Sequence, residues 1–182
     1  METVKSNNNS PINWQFPLIL VAVYAVLDLI LFVGGPSLMA NNWTGVVKFL
    51  IVLVAYIFVA RAIRKEAGYI SFGKLFISLL ICVGIYALAS GIIDYVIFYV
   101  IDDSYMTAVK ELVMEKMYDN PWMQGMSDEQ MDKVLEDTAE RFDQGKTLAG
   151  QGLGFLFTAV GWTIVSLILA AIFKKKSPEF GE

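Results

Sequence analysis

The chain has 182 residues, 56% of them hydrophobic and only 18% charged, and a net charge of −4. Its mean hydropathy of +0.55 exceeds what a soluble domain of this size carries. The acidic balance gives no nucleic-acid signal. A single cysteine excludes an intrachain disulfide, and the absence of histidine removes Ser-His and Cys-His nucleophile pairs and most zinc sites. No phosphate-binding or dinucleotide-type glycine motif occurs, so neither an enzyme nor a cofactor is expected.

Residues 1–13 are polar and asparagine-rich and read as a disordered tail. Residues 16–33 are the first run long enough to span a bilayer, which takes roughly 20 apolar residues. Asp28 interrupts this run, and no small-residue cleavage site follows it, so it reads as a retained helix rather than a signal peptide. A loop with Gly-Gly-Pro and Asn-Asn follows; it contains the sequon Asn42-Trp43-Thr44 but no Lys or Arg. The second span is residues 46–63, with Lys48 near its start. Arg61, Arg64, Lys65 and Lys74 cluster before the third span, residues 75–101, which contains Cys82 and is interrupted by Asp94. The fourth span is residues 153–173; Lys174, Lys175 and Lys176 follow it, then a short tail at 177–182.

Residues 102–151, between spans three and four, hold twelve acidic and five basic residues, a net charge of −7. Met106, Val109, Leu112, Val113 and Met117 have helical spacing. Asn120-Pro121 then breaks the helix, and Ser127-Asp128-Glu129-Gln130 is a capping box that opens a second one. The segment reads as an amphipathic helical hairpin that lies on the outer membrane surface or packs over the bundle; mutual packing of its two apolar faces is the favoured reading. Six of the eight methionines lie in it, and Met114, Met117, Met123 and Met126 fall in two M-x-x-M pairs. Soft thioethers suit Cu(I). Methionine is equally an adaptable filler of helix interfaces, and packing is the favoured reading.

The Lys and Arg bias puts the loop between spans two and three, and both termini, in the cytoplasm, with the hairpin outside. The expected architecture is therefore an all-α, four-span membrane protein with an extracytoplasmic helical hairpin.

A carboxylate within a bilayer costs about 2.5–3.5 kcal/mol, so it faces a bundle interior or a wet cavity and takes a partner. Counting along the spans puts Asp28 and Asp94 at similar depth, and Lys48, reaching inward, is a counter-ion for one or both. Tyr24 stands four residues before Asp28. Tyr86, Ser90 and Asp94 share a face of span three; Thr158, Trp162 and Ser166 share one of span four. A buried polar cluster of Asp28, Asp94, Lys48, Tyr86, Ser90, Thr158 and Trp162 is expected, either holding the bundle together or handling protons or ions. Gly84, Ala87, Gly91 and Gly150-x-x-x-Gly154 read as points of close helix approach. The segment Gly91-Ile92-Ile93-Asp94 departs from the Gly-x-Gly-Asp of intramembrane aspartyl proteases, which speaks against that activity.

Tyr69-Ile70-Ser71-Phe72-Gly73-Lys74 before span three, the basic second loop, the acidic methionine-rich insert and the terminal lysines together resemble a bacterial membrane family known as domain of unknown function four-one-nine-nine, over roughly Trp14 to Lys176. The resemblance implies a small bacterial inner-membrane protein and supplies no catalytic residues. The leading expectation is a non-enzymatic protein that presents its hairpin to a membrane or extracytoplasmic partner or to a second copy of itself. A proton- or cation-coupled carrier built on Asp28 and Asp94 is the alternative, and Met-based Cu(I) binding the third reading. The lipid bilayer is the expected environment in each.

Overall fold

The structure, a computed structural model, describes residues 13–174. The tail expected at 1–13, Asn13 apart, the terminal Lys175 and Lys176, and the tail at 177–182 lie outside the described residues. The described residues are almost entirely helical, and four helices are long and apolar enough to cross a membrane. These are α1 (Gln15–Gly34), α3 (Asn42–Ala67), α4 (Phe72–Tyr95) and α8 (Leu148–Phe173). A π-helical turn, Val96–Ile101, prolongs α4. The helices begin one to five residues ahead of the apolar runs read from the sequence, because polar and capping residues such as Asn42 join their first turns. Asn41 caps α3 by accepting from the Trp43 backbone N–H.

Two glycines set the helix ends that shape the connections. Gly35 (φ 86°) lies in a backbone region that L side chains avoid, and it ends α1 so that Pro36 opens the single turn α2 (Pro36–Met39). Gly68 (φ 68°) ends α3 before the tight return into α4.

Around the bundle the order is α1, α4, α8, α3, with α4 packed most extensively on α8 and α1. Leu20, Tyr56, Val59, Leu75, Leu79 and Val83 form the centre of its core. Mid-bundle, the Tyr56 hydroxyl donates to the Leu79 carbonyl (3.0 Å) and lies 2.6 Å from Ser166 Oγ, tying α3, α4 and α8 together. The outward faces are apolar: Leu18, Phe58, Leu88, Phe157 and Ile172 are all more than half exposed. Soluble monomers rarely expose so continuous an apolar surface, whereas lipid contact requires it. Trp14 and Trp43 stand exposed at opposite ends of the bundle, the positions that interfacial aromatic residues favour.

The segment between α4 and α8 contains α5 (Tyr105–Tyr118), the single turn α6 (Pro121–Gln124) and α7 (Asp128–Gly145). The break falls at Asn120-Pro121. The capping box at Ser127 forms in both directions, with Ser127 Oγ accepting from Gln130 N and Gln130 Oε1 from Ser127 N. Helices α5 and α7 touch each other and are joined by the Lys110–Asp143 ion pair (2.9 Å), but the larger apolar contact is the one over the bundle rather than the favoured mutual one. Tyr105 and Val109 of α5 are buried against Leu31, Ala40, Ile97 and Phe98 at the end of the bundle. Tyr105 donates to the Leu31 carbonyl (2.7 Å), and Lys116 to the Ala40 carbonyl (3.1 Å). The insert is thus seated on the α1–α2 corner, with α7 leaning on α8.

The glycines read as points of close helix approach behave otherwise. A Cβ placed on Gly84, Gly91 or Gly154 would meet nothing within 4 Å. Gly150 is crowded by the Gln144 backbone at the α7–α8 turn, so it serves a tight connection rather than a helix–helix seam.

Candidate functional site

Three helices deliver charged groups to one level of the bundle. Asp28 lies six residues before the end of α1 and Lys48 six after the start of α3. Asp94 precedes the end of the π turn by seven. At 1.5 Å per residue, each is about 9–11 Å from the insert end.

Lys48 Nζ contacts Asp28 Oδ1 directly and stands 3.8 Å from Asp94 Oδ1. One ammonium therefore serves two carboxylates from two different helices. The Tyr24 hydroxyl donates to both oxygens of Asp94, at 3.0 and 2.8 Å, and the Tyr24 ring lies 3.8 Å from Lys48 Nζ in a cation–π contact. Tyr24 shares a face with Asp28, but its hydrogen bond goes across to α4. Asp28 is fully buried, and its Oδ2 has no hydrogen-bond partner among the described residues. A buried polar atom left in this way carries a desolvation cost that a bound proton or cation would relieve. Asp94 differs: its side chain is 35% exposed and it lines a cavity of about 280 Å³.

The other residues expected in the cluster border that cavity without reaching the acids. Among the described residues, Tyr86, Ser90, Thr158 and Trp162 make no hydrogen bond to either carboxylate, though all four line the cavity. Ser90 Oγ is spent on the Ala87 carbonyl of its own helix. Tyr86 packs edge-on against both Tyr24 and Trp162, which closes the floor of the site. Trp162 also packs edge-on against Tyr56, so the polar level above and the Tyr56–Ser166 level below are separated by an aromatic layer.

Gln151 and Phe155 were not singled out from the sequence, yet they line the cavity. With Thr158 and Trp162 they stand at i, i+4, i+7 and i+11 on α8, one helix face; extending the polar stripe of span four toward its start reaches both. Of the methionines, Met123 is buried and Met114, Met117 and Met126 are half-buried in the insert. Among the described residues no group of three or more His, Cys, Asp or Glu is positioned to hold a metal ion.

The fold and site define a class: a bundle of four apolar, membrane-length helices with a charged triad held at one level of its interior. Within that class the chain belongs to a specific family, described as Protein of unknown function (DUF4199), whose model matches residues 15–175. That match covers all four long helices and the insert. No curated protein and no solved structure matches the chain.

Proposed function

We propose that this protein is a non-enzymatic carrier in the bacterial inner membrane, and that Asp28, Lys48 and Asp94 bind and release the coupling proton or small cation. One observation carries the reading: two carboxylates from different helices share a single ammonium, and one of them faces a cavity. With all three groups ionised the cluster carries a net charge of −1 in a medium that penalises net charge. A proton or monovalent cation neutralises it. The cavity gives that cation a route, and the Tyr24 hydroxyl gives Asp94 a donor to fall back on when the cation leaves.

The Lys and Arg distribution supports the orientation in which the basic end, with Arg61, Arg64, Lys65 and Lys174, is cytoplasmic. The insert and the mouth of the site are then extracytoplasmic. Liposomes containing the purified protein and a trapped pH-sensitive dye test the reading. A K⁺ diffusion potential should drive proton or cation flux above that of empty liposomes, and Asp94→Asn should abolish it. Equal flux in protein-containing and empty liposomes under every cation gradient tried would end the carrier reading.

A second reading rests on α7. Glu129, Asp132, Glu136 and Glu140 are exposed along this helix, an acidic face open to solvent. Such a face suits a basic extracytoplasmic partner or, with Lys133 and Arg141, a second copy. Crosslinking through Lys110 and Lys133 in native membranes would recover that partner.

A further inference from the structure

The cavity at Asp94 borders a second one. Ala87, Gly91, Gln151 and Phe155 line it, and the same four residues line a second cavity of about 350 Å³ in the seam between α4 and α8. This second cavity is apolar. Leu88 and Ile92 form its α4 side and are 58% and 64% exposed on the outward face, while Gly152 lies on the α8 side. No side chain stands at Gly91 or Gly152, and a Cβ placed at either would meet nothing within 4 Å. A carboxylate-bearing pocket and an outward-facing apolar groove thus share a wall of four residues, two of which, Ala87 and Gly91, are small.

The two halves call for different parts of one ligand. The polar half is lined by Asp94 and by Lys48, whose ammonium is already paired with Asp28; full ionisation leaves the cluster one negative charge, which fits an ammonium at Asp94. The apolar half fits a hydrocarbon chain. A headgroup that also carries a phosphate would bring a third anion to two carboxylates that share one ammonium, and like charges at this depth repel strongly.

We infer that the α4–α8 seam is a side entrance through which a single-chain amphiphile bearing a protonated amine and no phosphate reaches Asp94 from the bilayer, its chain resting along Leu88 and Ile92. The inference rests on the cation site proposed above and names the class of cation that it takes.

The test uses the full-length protein in nanodiscs at neutral pH and measures retention of radiolabelled dodecylamine and of methylammonium above empty discs. Dodecylamine should be retained stoichiometrically, and Asp94→Asn should abolish retention of both amines. Gly152→Leu and, independently, Ile92→Trp lie in the groove and outside the polar cavity. Each should weaken dodecylamine about tenfold or more and leave methylammonium unchanged. Two groove variants guard against a failure of either to fold. Equal dodecylamine retention by wild type and both groove variants would overturn the side entrance while the cation site stands. Retention of dodecanol or phosphatidylethanolamine as strong as that of dodecylamine would overturn the amine assignment. Retention of neither amine above empty discs would overturn the entrance and the amine assignment, while the liposome flux decides the proton or cation site separately.

Discussion

Lys48 serves two acids, and its removal leaves Asp28 without its ion-pair partner and Asp94 with the Tyr24 hydroxyl alone. Breaking a buried pair by deleting one partner costs about 3–5 kcal/mol, because an uncompensated charge stays behind. Lys48→Met should therefore lower the melting temperature in detergent more than Asp28→Asn does. The double variant Asp28→Asn/Lys48→Met should recover part of the loss, and a double variant no more stable than Lys48→Met would refute a charge-pair role. The triad was legible in the sequence because residue counts convert to depth at a fixed rise per residue, and depth alone brings Asp28, Lys48 and Asp94 level. The partners of Tyr24 and Tyr56 were not legible. Which neighbour a tyrosine faces depends on how the helices are arranged around one another, and a polar stripe gives a helix's inward face without naming the helix opposite: Tyr24 bonds to Asp94 rather than the Asp28 of its own helix.

The insert is held by a few separable contacts. Ser127→Ala removes the cap of α7 and should cost that helix about 0.5–2 kcal/mol, read as faster hydrogen exchange confined to its first turns. Tyr105→Phe leaves the Leu31 carbonyl without its donor and should cost about 1 kcal/mol, read as faster exchange across α5. The hydrogen bond from Lys110 holds the Asp143 carboxyl below the usual carboxylate range. A group whose folded value is lowered contributes stability above its unfolded value, near 4, and loses it as pH falls through the folded value. Carboxyl NMR should therefore show Asp143 titrating below an ordinary aspartate, and Lys110→Met should return it to the ordinary range. The two helices and the break between them were readable from helical spacing, Asn120-Pro121 and the capping box. The seat of α5 was not, because one of its supports, α2, hides in a Gly-Gly-Pro stretch that reads as loop; Pro36 is well placed to open a single helical turn there.

At the scale of the molecule, the four long helices were plain from length and hydropathy, since no other structure satisfies a buried backbone over such runs. Their cyclic order was not, because a polar stripe marks the inward face of a helix but not which helix stands beside it. The expected orientation is checked with a membrane-impermeant thiol reagent on intact cells. Cys82 is buried, so background labelling should be low. Glu129→Cys should label and Arg64→Cys should not, and the reverse pattern would invert the whole layout.

The π turn at Val96–Ile101 has a consequence for how the chain tolerates change in length. A π turn carries one residue more than an α turn, so each residue beyond it stands about 100° behind its place in an uninterrupted α-helix. Deleting one residue there, Val100 for instance, would allow a regular helix from Phe72 to the insert while barely altering hydropathy. It would also swing Tyr105 away from Leu31 and Lys116 away from Ala40. The seat of the insert is therefore encoded in residue count more than in residue type: a chain of nearly the same composition, one residue shorter at this point, would bring its acidic helices down over a different corner of the bundle.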